Sequence, residues 1–286
     1  MNSLTKKRVR VSDFLLYGLI YISAFLSVLL VAGIIIYVFV KGARVINLSF
    51  LTGVTSVLNG TVGIAGNLVN TLYIIVITLI LATPVGVGAA IYLNEYAKPG
   101  RFVRLVEYTT EILAGIPSII FGLFGRVFFG VSLGLGYSIL TGALTLTIMI
   151  LPLITRSAQE ALKTVPQSYR SGALGIGATK WYMIRTILLP SAMPGIITGV
   201  ILAVGRIVGE SAALLFTAGS GYLLPKSLLG KVMESGGTLT IQLYLSMQKG
   251  EYATAFGIAC VLLVIVLAIN LLTKFLASKF NTTKEK

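Results

Sequence analysis

Long apolar runs separated by short polar interruptions dominate the chain. Their lengths, about 19 to 27 residues, match the hydrocarbon thickness of a bilayer rather than a buried strand or a one-sided surface helix. The first runs from about Phe14 to Val40 behind the polar start MNSLTKKRVR. It is about twice as long as the apolar stretch of a secretory signal, so it reads as a retained span. The segment 41–66, with NLSFLTG and NGTVG, is more polar and reads as a loop with a short re-entrant or interfacial helix. A second span covers about Leu68 to Tyr92. The stretch LNEYAKPGRFVR stops it with Pro99 and Gly100, followed by Arg101 and Arg104.

A third span is expected over about Thr109 to Phe129, interrupted by Gly115, Pro117, Gly122 and Gly125, and a fourth over Tyr137 to Thr155, ending at Arg156. After a polar insert comes a fifth, Ala192 to Ala218, carrying Arg206 and Glu210. Residues 219–250 read as loop with helix-compatible pieces, and the sixth span is Tyr252 to Leu272. The predicted fold is an all-α polytopic membrane protein with six transmembrane helices. Residues 1–10 form a cytoplasmic segment, 11–276 the membrane domain with its 157–190 cytoplasmic loop, and 277–286 a cytoplasmic tail.

Composition agrees with that pattern. Of 286 residues, 56% are hydrophobic and only 11% charged, with mean hydropathy +0.94, too little charge for the surface of a soluble protein. The formal charge of +14 points to anionic lipid and to topology rather than to nucleic acid, because no polar domain carries it. Of the 23 Lys and Arg residues, sixteen fall on the side of the termini and of the insert, five on the other, and Arg126 and Arg206 within spans. The positive-inside bias therefore puts both ends and the insert in the cytoplasm. Cys260 is the single cysteine and there is no histidine, so neither a disulfide framework nor a zinc site is expected, and the reading calls for no metal or cofactor.

The insert reads as helix, bend, helix. Thr164 is a candidate cap for a short helix beginning near Pro166, Gly175 and Gly177 permit the bend, and Ala178 to Leu188 form a second helix. Trp181, Ile184 and Leu188 recur at spacings of three and four on that second helix. Two readings stand on these residues alone: a ridge that docks into a partner's groove, or an amphipathic hairpin on lipid headgroups. The insert resembles the coupling loop of ABC-importer permeases, whose pattern is Glu-Ala-Ala, three residues, Gly, nine residues, Ile, one residue, Leu-Pro. Gly177, Ile187, Leu189 and Pro190 meet that spacing, whereas Ser171, Gly172 and Ala173 stand at the opening triplet. The family glutamate is missing there, and Glu160 lies eleven residues too far upstream to replace it.

EILAGIPSIIFGLFG (111–125) and GRIVGESAALLFTAG (205–219) resemble the PstA-type phosphate permeases of ABC importers, and the resemblance extends from about Leu72 to Phe275. It implies a type I ABC-importer permease fold whose cytoplasmic loop couples to an ATPase through Ser171, Gly172, Ala173, Gly177, Trp181, Ile184, Ile187, Leu189 and Pro190. The implied partners are a second, PstC-like permease, a PstB-like ATPase dimer and a PstS-like extracytoplasmic phosphate-binding protein, in a cell membrane. No GxxxxGK[ST] phosphate loop occurs in the chain, which fits ATP hydrolysis on another subunit.

Candidate residues for a phosphate path follow from polarity inside spans. Arg206 and Glu210 are four apart, hence on one face of an unbroken helix, either as an anion site with its tether or as a structural ion pair. Ser211 adds a hydroxyl. Pro117 and Ser118 mark a helix interruption whose free amides suit an anion, or a kink for close packing. Arg126, near an outer span end, either joins the path or snorkels to the interface. Arg156 reads as a topology residue or a cytoplasmic gate contact. No paired carboxylates and no Cys- or His-based nucleophile centre suggest an enzyme. A permease for another oxyanion or small solute, and a non-transporting module that recruits a soluble protein, remain the alternatives.

Overall fold

A computed structural model describes residues 11–56, 60–98, 100–225, 227 and 230–280. The expectations for segment 1–10, for the tail beyond 280, for Pro99 and for Lys226 lie outside these residues. Helix α1 (Val11–Gly42) leads to a short α2 (Leu48–Thr52), whose amide at Phe50 donates to the Asn47 side chain at 2.8 Å. A two-stranded antiparallel hairpin, β1 (Val54–Ser56) and β2 (Thr61–Ile64), completes the expected loop with its short helix. Helix α3 (Ala65–Ile91) runs on into a wide π-helical turn, Tyr92–Tyr96.

The third apolar stretch is not one straight span. Helix α4 (Arg101–Gly115) and α5 (Ser118–Gly125, widening over Arg126–Ser132) meet at an angle of 101°. Ile116 and Pro117 are extended between them. Proline lacks the amide that a continuing helix needs, and its ring keeps Ile116 out of helical conformation. Helix α6 (Ile139–Lys163) begins at Ser138, whose hydroxyl accepts from the Thr141 amide at 3.1 Å, and runs seven residues beyond Arg156.

In the insert, α7 (Gln167–Gly175) follows Pro166 without a side-chain cap. Thr164 instead closes α6, its hydroxyl donating to the Ala161 carbonyl at 2.8 Å, so its expected role as an N-cap is corrected. Gly177 takes φ +82°, the left-handed turn that glycine adopts without penalty. A single helical turn, α8 (Lys180–Met183), then passes through a π-turn (Ile184–Leu188) into α9 (Leu189–Gly209).

The expected fifth span is broken as well. Helix α9 ends at Gly209, Glu210 is extended, and α10 (Ala212–Thr217) is a separate short helix. Helix α11 (Leu239–Gln248) and the last helix, α12 (Tyr252–Phe280), complete the chain. Among the described residues five helices, 15–42, 65–96, 139–163, 180–209 and 252–275, are long and apolar enough to cross a membrane. The bent α4–α5 pair makes six if it is counted as one broken span.

Helix α6 is the axis of the bundle, packed against α3 and α9, while α12 leans on α9 and α11. Helix α1 packs chiefly on α12 and leaves its membrane-length window with no buried residue, so its apolar surface faces lipid or another chain. Buried residues form two separate clusters. The larger runs through α3, α6, α9, α10, α11 and α12, around Ile74, Leu146, Ile150, Val208 and Leu214. The smaller joins the ends of α3 and α6 to the insert, around Ala90, Leu162, Ala173, Met183, Ile184 and Leu188. The helix-bend-helix insert is therefore seated on its own small core.

Candidate translocation cleft and cytoplasmic loop

A cavity of about 520 Å³ opens between α4, α6 and α9. Helix α4 contributes Glu107, Thr110, Glu111 and Ala114; α6 contributes Arg156, Ser157, Glu160 and Lys163; α9 contributes Arg206. Its charges balance, three cations against three carboxylates, but their pairing is unequal. Glu111 Oε1 lies 3.8 Å from Arg156 Nη1, and Glu160 Oε1 lies 3.3 Å from Lys163 Nζ. Among the described residues Arg206 has no carboxylate within ion-pair distance. It stands exposed at the cleft on an otherwise apolar helix, and an unpaired guanidinium in that setting attracts an anion.

Glu210 is not its partner. The break after Gly209 removes the helical face on which a spacing of four would bring the two side chains together. The Glu210 carboxylate turns to the start of α10 and accepts from the Ala213 amide at 3.0 Å, a cap favoured by the positive end of the helix. Its backbone carbonyl accepts from Thr240 Oγ1 at 3.0 Å, tying the break to α11. Ser211 sits in the same break, and its carbonyl accepts the Leu215 amide at 2.9 Å. Neither Glu210 nor Ser211 lines the cleft.

Pro117 and Ser118 form the α4–α5 corner, three and four residues beyond the cleft-lining Ala114, and are not part of its wall. Arg126 does not snorkel. Its guanidinium carbon lies 3.7 Å from the Tyr137 ring centroid, a cation–π contact, while Nη1 is buried with no hydrogen-bond partner. That places Arg126 away from Arg206 and out of the cleft. Glu107, Glu111 and Lys163 are the cleft residues that sequence reasoning passed over, whereas Arg156 reads from the sequence as a topology residue or a gate contact. Arg156 offered a signal, a charge at the end of an apolar run; the carboxylates of α4 offered none without the bend that turns them towards α6.

The two stretches that carried the family resemblance meet in space. Helix α5 packs on α10 so closely that a Cβ built on Gly122 would stand 2.8 Å from the Ala213 Cα. Each is the second half of a broken helix, and each break lies next to a helix that lines the cleft.

On the loop, Ser171, Gly172 and Gly177 are exposed, while Ala173 is buried against the inner core. Trp181 is 60% exposed and Ile176 88%, with Tyr169, Leu174 and Tyr182 also open. The ridge expected from Trp181, Ile184, Ile187 and Leu188 is corrected: Ile184 and Leu188 are 1% and 0% exposed and pack into the inner core, and Ile187 is only half-buried. Leu189 and Pro190 lie where the π-turn runs on into α9, and proline there has no amide to donate to the preceding turn.

A bundle of broken helices around an ion-lined cleft, with a helical hairpin leaving one end, defines a multi-pass membrane transport subunit. Residues 82–282 match the family described as binding-protein-dependent transport system inner membrane component, and the chain belongs to that family, a translocation component rather than an enzyme. The probable ABC transporter permease protein YqgI of Bacillus subtilis is 37% identical over 73% of this chain and 71% of its own. The phosphate transport system permease protein PstA 1 of Mycobacterium tuberculosis is 33% identical over 80% of this chain and 72% of its own. In fold, the chain is similar to a bacterial alginate ABC transporter solved with an alginate-bound periplasmic protein. That likeness has a TM-score of 0.71 at 16% identity and covers 95% of this chain and 96% of the other.

Proposed function

We propose that the chain is the PstA-like permease subunit of an ATP-driven phosphate importer. It lines half of the inward path and receives the power stroke of a separate ATPase through the α7–α8 loop. A PstC-like permease, a PstB-like ATPase dimer and a PstS-like binding protein complete the assembly. The observation that carries the reading is the unpaired Arg206, facing a cleft that also holds Arg156. Two guanidinium groups offer forked donors to the oxygens of a tetrahedral dianion. Glu111 lies 3.8 Å from Arg156 with both side chains exposed, a loose pair that an arriving anion competes with. Relatives named as phosphate permeases support the choice of anion. The exposed Ile176, Trp181 and Tyr182 supply an apolar anchor for the ATPase.

The test is to purify the chain with its co-assembling subunits and measure uptake into vesicles. Phosphate accumulation that needs both ATP and the binding protein, and that excess sulfate does not suppress, is the expected result. Sulfate uptake at equal rate removes the phosphate assignment, and absence of any co-purifying ATPase removes the transport reading.

A further inference from the structure

Arg170, at the centre of α7, is not on the exposed face of the loop. Its side chain is 12% exposed and that of its partner Glu95 is 5% exposed, the most buried ion pair among the described residues apart from the one-sided Lys231–Glu234 contact. Arg170 Nε and Nη2 donate to Glu95 Oε1 at 3.2 and 2.9 Å. Its Nη1 donates to the Val165 carbonyl at 2.8 Å, and Nη2 also reaches the Leu162 carbonyl at 3.0 Å. Those carbonyls belong to the last turn of α6 and the residues just after it, and that of Leu162 also accepts the Val165 amide at 3.3 Å. Asn94 Nδ2 holds the same Glu95 oxygen at 2.7 Å. One residue further, Tyr96 places its ring 4.9 Å from Lys180 Nζ at the start of α8. The π-turn that ends α3 thus grips both arms of the loop, and Arg170 adds the end of α6.

We infer that Glu95 and Arg170 are positioning residues that form a transmission joint, through which displacement of the α7–α8 loop is carried into α3 and α6 together. The inference rests on the coupling role proposed above. A planar, always-charged guanidinium suits the task, since its rigid fork fixes three acceptors at once, which a lysine ammonium on a flexible stem cannot reproduce. Without the joint the loop still has its apolar seat, and its outward residues are untouched. ATPase binding then survives while the spans no longer follow.

The test compares the wild-type complex with Arg170→Lys and with the charge-free double variant Glu95→Gln/Arg170→Gln. The double variant removes both charges, so neither is left buried alone. Phosphate imported per ATP hydrolysed, measured on assembled complex, is expected to fall about fivefold or more in the double variant and less in Arg170→Lys. An unchanged ratio in both overturns the joint, including where yield falls, since a merely structural pair lowers the amount of complex and not its coupling. Hydrogen exchange gives a second readout that needs no solute. Non-hydrolysable nucleotide added to the wild-type complex is expected to alter exchange at residues 90–96 and 157–165, and the variants to lose that response. Retention of the response overturns the joint. Failure of the wild-type complex to import phosphate sinks only the functional reading and leaves the exchange test standing.

Discussion

Arg206 was legible because charge inside an apolar run is costly and therefore informative. Its supposed link to Glu210 was not, because a spacing of four speaks of one face only while the helix continues, and Gly209 ends it. The two residues now make separate predictions. Arg206→Gln should abolish phosphate uptake while the complex assembles at normal yield, since the side chain is exposed and removes no counter-charge from a buried partner. Glu210→Gln should transport, because the amide oxygen still accepts from Ala213 and only the charge–dipole part of the cap is lost, about 0.3–1 kcal/mol. The double variant should then equal Arg206→Gln in uptake, without rescue, as expected of sites that share no contact. Recovery of uptake in the double variant would restore the ion-pair reading, and robust uptake by Arg206→Gln would remove Arg206 from the path.

Among the elements, hydropathy located every long helix and missed how two of them break. A window average registers composition, and the apolar residues continue across both corners. Gly115 and Pro117 announced the first break. The second, at Glu210 and Ser211, has no proline, and only the carboxylate three residues before Ala213 marks a new helix start. The contact between the two second halves was invisible for a further reason, since nothing local relates Gly122 to Ala213. It yields a contrast between two glycines. Gly122→Val should destabilise by about 1–3 kcal/mol, because the added side chain meets the α10 backbone and both helices must shift. Gly177→Ala meets no atom within 4 Å, so its cost is conformational, about 1–2 kcal/mol for a left-handed residue, and Gly177→Asn should cost less than alanine. Thermal unfolding of the detergent-solubilised chain would rank the three. A harmless Gly122→Val would mean that α5 and α10 are not in fixed contact.

For the whole molecule, pairs distant in sequence carry the architecture: Arg156 beside Glu111, Arg206 across from both, Glu95 against Arg170. None has a sequence signal, because each depends on how bent helices pack. Orientation rests instead on a signal that packing does not touch, the unequal split of Lys and Arg between the two sides. If the bent α4–α5 pair crosses as one span, the α6–α9 insert and the turn before α6 lie on opposite faces. If the pair enters and leaves on one side, they still lie at opposite ends of α6, but the ends of α1 and α12 change sides relative to each other. Single-cysteine labelling distinguishes these cases in a Cys260→Ala background, where the lost thiol is buried and does not report. Ser171→Cys on α7 should react with a membrane-impermeant maleimide only from the cytoplasmic face. Ser132→Cys before α6 and Gln248→Cys at the end of α11 should react only from outside, all three side chains being exposed. The decisive position is Ala43→Cys, just after α1: labelling from outside, together with Gln248→Cys, requires six crossings. Labelling of Ala43→Cys from the cytoplasm while Gln248→Cys labels from outside would make the α4–α5 pair re-entrant and reduce the spans to five.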